Sequence, residues 1–222
     1  MTVEALLFDL DGTLVDSAPD LVAVLNRMLA EQGRPRMPYA IARNEASNGA
    51  LGLIRLGFGG DLSPEETAAL RARFVELYAA DVCIATRLFI EIDDIVEAIG
   101  ENWGIVTNKP HAMTMPLLER LGIRDLPRTV VSGDRLPQRK PHPAPLELAA
   151  RELGVPAARC CYVGDSPRDI AAGKAAGMAT IAATYGYIRP DEDVRAWGAD
   201  ALLERPDDLV RAVASLAGSC AP

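Results

Sequence analysis

Two rhythms of apolar residues alternate along the chain. Short unbroken apolar runs read as buried strands, and stretches with apolar residues three and four apart read as helices. The first run, Ala5 to Phe8, reads as a buried strand of a parallel sheet. From Ser17 to Gln32 the spacing predicts a helix. Leu21, Val24, Leu25, Met28 and Leu29 share a face, Pro19 suits the first turn and Gly33 the end. Helical stretches continue to about Ala85. Ser63-Pro64-Glu65-Glu66 predicts a helix start with a capping box, after which Leu70, Phe74, Leu77 and Tyr78 share a face. Residues 17–85 therefore read as helical, without a strand.

Beyond that block the two rhythms take turns. Helices are expected over Glu91–Ile99, Ala112–Leu121, Ala144–Leu153, Pro167–Ala176 and Asp207–Leu216. Strands are expected over Trp103–Asn108, Arg128–Gly133, Cys160–Asp165 and Ala179–Ala183. Such alternation implies an α/β fold, a doubly wound parallel sheet. Residues 1–16 and 86–222 form its core, and the inserted helices of 17–85 form a small α-helical cap over the carboxyl edge of the sheet. No internal repeat or low-complexity segment interrupts the pattern.

Composition narrows the partners. The 222 residues carry a net charge of −8, with 49% apolar content and a pI near 4.9. That balance argues against nucleic acid and anionic membranes. An anionic ligand would need a local positive site or a metal. No leader-like segment and no membrane-length apolar run is present, so a cytoplasmic protein is expected. Cys83, Cys160, Cys161 and Cys220 form no Cys-x-x-Cys pair, and neither His111 nor His142 has a metal-ligand partner at useful spacing. Buried thiols are expected.

The chemistry-bearing residues sit where the strands end. The first run passes into Asp9-Leu10-Asp11-Gly12-Thr13-Leu14. Strand residues two apart point the same way, so both carboxylates face one spot at the edge where open α/β sheets bind ligands. Neighbouring carboxylates repel, and a hard divalent cation relieves them. An EF-hand loop would need an acid at Leu7 and a glutamate at Ala18, and lacks both. An ordinary acidic turn is the plainer reading of this stretch alone. Later strands end in Thr107-Asn108 and in Asp165, with Asp169 a turn into the next helix and Lys140 before Pro141-His142-Pro143. Singly, Thr107 reads as a helix cap, Lys140 as a surface lysine and Asp165-Ser166-Pro167 as an N-cap. Jointly, these groups and fresh helix N-termini compose a site for a metal and a phosphate.

These motifs carry a resemblance. Asp9 to Ser17, Thr107-Asn108-Lys109-Pro110, Lys140 to Leu146 and Val163 to Ile170 together resemble the haloacid dehalogenase superfamily of phosphatases over essentially the whole chain. The phosphoglycolate phosphatase-like subgroup is the nearest in kind, with Gly173 to Met178 and Thr184-Tyr185-Gly186-Tyr187 as markers. The tail from Tyr187 to Asp191 and from Trp197 to Asp200 is more similar to N-acetylmuramic acid 6-phosphate phosphatases, as is Asn48-Gly49-Ala50.

The resemblance implies a Mg²⁺-dependent phosphate monoester hydrolase acting on a small phosphorylated metabolite, as a monomer or homodimer. Asp9 would be the nucleophile and form an aspartyl phosphate. Asp11 would be the acid and then the base. Mg²⁺ would rest on Asp9, the Asp11 backbone carbonyl and Asp165, with Asp169 positioning Lys140 or a metal-bound water. Thr107, the Asn108 backbone and Lys140 would hold the phosphoryl oxygens, and Thr13 would orient the nucleophile loop. The cap residues near Ser47-Asn48-Gly49 would touch the rest of the substrate, although Gly49 equally reads as a residue that lets helices pack closely. One departure lies at Leu88-Phe89-Ile90-Glu91-Ile92, where relatives often have a Pro-Gly turn returning from the cap.

Rival readings are weaker. A dehalogenase lacks the second aspartate. A phosphomutase of the same superfamily shares the four motifs and differs in its cap. A phospho-accepting receiver domain carries its acceptor on a later strand and is about half as long. A non-catalytic interaction protein is expected to have lost Asp9, Asp11, Lys140 or Asp165. Neither a P-loop nor a Gly-x-Ser-x-Gly elbow is present.

Overall fold

The structure is a computed structural model that describes residues 2–218. Its centre is a six-stranded parallel sheet. The strands are β1 (Ala5–Phe8), β4 (Trp103–Val106), β5 (Thr129–Val131), β6 (Cys160–Gly164), β7 (Ala179–Ala183) and β8 (Ala201–Leu203), in the order β5-β4-β1-β6-β7-β8. Every residue of β1, β4, β6 and β7 is buried, which explains their unbroken apolar runs. β1 lies between β4 and β6, with Leu6 opposite Trp103 on one side and Cys161 on the other.

Successive residues of β1 feed opposite faces of the sheet. Leu6 and Phe8 join Trp103, Ile105, Cys161 and Val163 in one apolar cluster. Phe8 meets Trp103 edge to face, with centroids 6.2 Å apart. Ala5 and Leu7 join Val106, Cys160 and Tyr162 in the other, beneath Leu146, Ala149, Ala150 and Leu153. The latter four lie on α7 (Ala144–Leu153). Cys160 and Cys161 are buried free thiols and Cys83 is half-buried; Cys220 lies outside the described residues.

Between β1 and β4 the chain leaves the sheet through β2 (Val15–Asp16) and returns through β3 (Arg87–Leu88). In between run α1 (Ala18–Glu31), α2 (Tyr39–Arg43), α3 (Gly49–Phe58) and α4 (Pro64–Ala80), with a short 3-10 turn at Ala46–Asn48. Ser63 and Glu66 close the expected capping box of α4 reciprocally. Phe74, Leu77 and Tyr78 of α4 are buried, as are Leu21, Leu25 and Met28 of α1.

Where the Pro-Gly turn is missing, β3 pairs antiparallel with β2, and the Phe89 N–H donates to Leu14 O at 2.8 Å. Phe89 then packs on Tyr185 at 5.1 Å between ring centroids. A paired two-strand stem thus stands at the root of the helical block.

The sequence reading misses three strands. β2, β3 and β8 have two or three residues each, too few to show a period, and Asp200 and Glu204 flank β8 with charge. The remaining helices are α5 (Ile92–Ile99), α6 (His111–Arg120), α8 (Pro167–Ala175) and α9 (Leu209–Gly218). α9 starts later than expected because Pro206–Asp208 forms a 3-10 turn ahead of it.

Candidate functional site

β1 delivers Asp9 to the carboxyl edge of the sheet, where it is 6% exposed. The Leu10 N–H donates to Asp9 Oδ1 at 2.7 Å. The chain then turns sharply, with the Gly12 N–H donating to Val15 O at 2.9 Å. Gly12 has φ +88°, and a side chain there would collide with Asp165 Oδ2. Both the backbone and the space require glycine. Thr13 Oγ1 reaches Asp165 Oδ1 at 3.4 Å.

Asp9, Asp165 and Asp169 come together from β1, the end of β6 and the first turn of α8. They offer oxygens within 4.8 Å of one another, all buried. Burial, then the charges of Asp169 and Asp9, push Asp165 up to about 7. Two donors on its Oδ2 oppose that rise: the Tyr187 N–H at 2.8 Å and the Ser47 hydroxyl at 2.7 Å. Asp169 is also raised, chiefly by burial, against the pull of Lys140. Its Oδ1 pairs with Lys140 Nζ at 2.7 Å, while its buried Oδ2 has no hydrogen-bond partner among the described residues. A buried carboxylate oxygen without a partner is costly. Three converging carboxylates with spare oxygens fit a hard divalent cation.

Lys140 fixes the other side of Asp9. Its Nζ is 2.9 Å from Asp9 Oδ1 and donates to the Tyr162 hydroxyl at 2.6 Å, which donates to Val106 O at 2.7 Å. The lysine side chain is 1% exposed. Asn108 holds the same lysine by its backbone: its Oδ1 accepts from the Lys140 N–H and its Nδ2 donates to Lys140 O, both at 3.0 Å. The Asn108 side chain therefore serves the lysine. Thr107 is buried, and its Oγ1 accepts the Lys109 N–H at 3.1 Å.

The carboxylate of Asp11 stands outside the three-acid group. Its Oδ1 accepts from the Ser17 hydroxyl and pairs with Lys109 Nζ at 2.9 Å. Burial alone would lower the Lys109 pKa. The charge and hydrogen bond of Asp11, helped by Tyr78, outweigh it and hold the pKa above its ordinary value. The Lys109 ammonium also lies over the Tyr78 ring, 4.6 Å from its centroid.

A cavity of about 250 Å³ opens above these groups, between the sheet edge and the helical block. Asp9, Asp11, Thr107 and Asn108 line it from below, and Asn48 and Gly49 from the helical side. Gly49 has φ +63°, and a side chain there would meet nothing within 4 Å. Backbone conformation, not close helix packing, accounts for that glycine. The loop ahead of it is stitched to the sheet side. Arg168 donates to Ser47 O and to Asn48 Oδ1, Arg189 pairs with Glu45, and Arg43 donates to Tyr185 O and Gly186 O.

A family model described as haloacid dehalogenase-like hydrolase matches residues 3–177. The chain belongs to the haloacid dehalogenase-like hydrolases. Among members of the family, it is 42% identical over 208 residues to a protein of Xanthomonas campestris pv. campestris named phosphoglycolate phosphatase, covering 92% of this chain and 94% of that one. It is 38% identical over 213 residues to the N-acetylmuramic acid 6-phosphate phosphatase of Pseudomonas aeruginosa, covering 95% and 94%. The crystal structure of a predicted phosphoglycolate phosphatase from Haemophilus somnus superposes with a TM-score of 0.82 at 29% identity, covering 95% of this chain and 98% of the other. The family and the names of these relatives make the protein a phosphatase-type hydrolase.

Within this hydrolase, sequence reading assigns no role to Lys109, Tyr162 or Arg168 and expects Ser47 on the substrate, whereas its hydroxyl donates to Asp165; all four touch the site groups. Lys109 sits inside Thr107-Asn108-Lys109-Pro110, where its charge is the signal of a role. Tyr162 reads only as an apolar strand residue. Ser47 and Arg168 act across more than a hundred positions of sequence, where no spacing rule reaches. Among the described residues, no helix is long and apolar enough to cross a membrane.

Proposed function

We propose that this phosphatase hydrolyses the phosphate monoester of a small carboxylic acid by way of an aspartyl phosphate on Asp9. The observation that carries the reading is the setting of Asp9: on Lys140, inside a three-carboxylate group, and two residues before an Asp11 with a separate environment. Asp9 Oδ1 takes the Leu10 N–H and the Lys140 contact, so Oδ2 attacks phosphorus. The phosphorus–ester oxygen bond breaks, and Asp11 gives its proton to the leaving alkoxide. Water then attacks phosphorus, Asp11 takes the water proton, and Asp9 leaves as the free carboxylate. Lys140, Thr107 and the Asn108 backbone stabilise the phosphoryl oxygens.

Asp9, Asp165 and the Asp11 carbonyl would hold Mg²⁺, with Asp169 beside them. The ion would supply charge neutralisation at the transferring phosphoryl group. The helices of 17–85 act as the cap, with Asn48 and Gly49 facing the body of the substrate. The enzyme works in the cytoplasm, as a monomer or homodimer.

Phosphoglycolate is the leading substrate. N-acetylmuramic acid 6-phosphate is the second, favoured by a relative of nearly equal identity and coverage. Phosphate release from both, with Mg²⁺ present, measured as kcat/KM, tests the reading. A preference of a hundredfold, about 2.7 kcal/mol, decides between them. No release from either ester removes the proposal.

Metal binding carries a pH signature. In the metal-free protein, folding raises Asp165 from its ordinary 3.8 to about 7. Between those values the folded state holds a proton that the unfolded state lacks, so metal-free stability falls as pH rises towards and through 7. Mg²⁺ takes the ionised form and relieves that loss. The rise in Tm on adding Mg²⁺ is therefore expected to be larger at pH 8 than at pH 6. The apparent affinity should be about tenfold weaker at pH 6, because one proton competes. Equal Tm shifts at both pH values would detach Asp165 from the metal.

A further inference from the structure

The cavity carries more positive charge than its aspartates use. Lys109 is taken by Asp11, Lys140 by Asp9 and Asp169, and Arg168 by the backbone and side chain of the 47–48 loop. Arg71 and Arg139 line the cavity with solvent-exposed side chains, and neither has an acidic or hydrogen-bonding partner among the described residues. They come from different parts of the fold. Arg71 lies on α4, one turn before Val75, which lines the same cavity. Arg139 immediately precedes Lys140. The wall also presents Leu21, Leu51, Val75 and Met113. Exposed arginines without a carboxylate partner occur elsewhere on the chain, Arg36, Arg55 and Arg151 among them; what sets Arg71 and Arg139 apart is that both open onto the cavity that holds Asp9.

We propose that Arg71 and Arg139 bind a carboxylate of the substrate, on a part of the molecule away from the transferred phosphate, and so select phosphate esters of carboxylic acids. The guanidinium fork matches a carboxylate with two parallel hydrogen bonds. The inference rests on the phosphatase reading and adds which residues choose the ester. One arginine sits on the helical block and one beside Lys140. A bound carboxylate therefore ties the two sides of the cavity together while the phosphoryl group rests on Asp9.

The test compares esters that differ by a carboxylate. One pair is 2-phosphoglycolate and 2-hydroxyethyl phosphate. The other is N-acetylmuramic acid 6-phosphate and N-acetylglucosamine 6-phosphate, which lacks the lactyl acid. In at least one pair the parent enzyme is expected to prefer the acid by about tenfold or more in kcat/KM. In Arg71→Gln/Arg139→Gln that ratio is expected to fall by about tenfold or more, mainly through KM. Each single variant should lose part of it.

An unchanged ratio, or an equal fall on acid and neutral partners, overturns the proposal. So does a preference for a sugar bisphosphate that the double variant loses instead, which would reassign the pair to a second phosphate. Calorimetric binding of the same esters to Asp9→Asn protein, with and without the two arginine changes, reads the preference without turnover. If none of the esters is hydrolysed, the phosphatase reading fails while calorimetry still decides the arginines.

Discussion

Asp9→Asn is expected to abolish phosphate release, lowering kcat by at least about 10⁴-fold, with the fold retained. The amide keeps the shape of the carboxylate and can still take the Leu10 N–H on its oxygen. It supplies no anionic oxygen to attack phosphorus. Lys140 would keep Asp169 and Tyr162 as partners, so the buried ammonium is not stranded. Removing one of three crowded carboxylates also relieves Asp165 and Asp169, on both of which the charge of Asp9 acts upward. The metal-free variant should therefore be as stable as the parent or slightly more so. Kinetics on a highly purified preparation, with Tm measured in parallel, checks both halves. Substantial residual turnover would remove Asp9 as the nucleophile.

Lys140→Met is expected to damage activity and stability together. Among the described residues, the ammonium is the one cation in contact with both Asp9 and Asp169, and it is almost fully buried. Its removal leaves buried carboxylates facing one another without compensation. Breaking a buried ion pair by deleting one partner costs about 3–5 kcal/mol. For a chain of this size that lowers Tm by roughly 10 °C. Loss of the charge that stabilises the phosphoryl oxygens should lower kcat by about 10²–10³-fold. The sign of the pH effect follows from Asp169. Lys140 holds its raised pKa down, so the pKa climbs further in the variant. The destabilisation should be smallest in acid, where Asp169 is protonated, and grow as pH rises. A Tm loss that does not change with pH would mean that packing, not charge, dominates at this position.

The sequence made the strand-end residues legible for a physical reason. A strand buried on both faces is an unbroken apolar run, and the polar residue that ends it marks the carboxyl edge of the sheet. Asp9, Thr107 and Asp165 announce themselves in this way. The capping box at Ser63 and Glu66 is legible because all its atoms lie within one turn. β8 is not legible, since three residues between charged neighbours carry no period. The clasp of Asn108 on the Lys140 backbone and the bond from Ser47 to Asp165 stay hidden, because each depends on where two distant loops meet. Gly49 shows the limit from another side. Its presence is visible in the sequence, but only its φ of +63° and the empty space around it separate backbone conformation from close packing.

The central position of β1 has a consequence for synthesis on the ribosome. The strand that leads into Asp9 is made before both of its neighbours, Trp103–Val106 and Cys160–Gly164. A nascent chain that has not yet extruded Gly164 can flank β1 on one side only, and it holds neither Asp165 nor Asp169. The helices of the insertion emerge before either neighbour of β1, and α1, α3 and α4 pack largely on one another. Order on the growing chain therefore runs opposite to importance in the finished one. The periphery has its own partners early, while the centre of the sheet and the acid cluster are completed late and together.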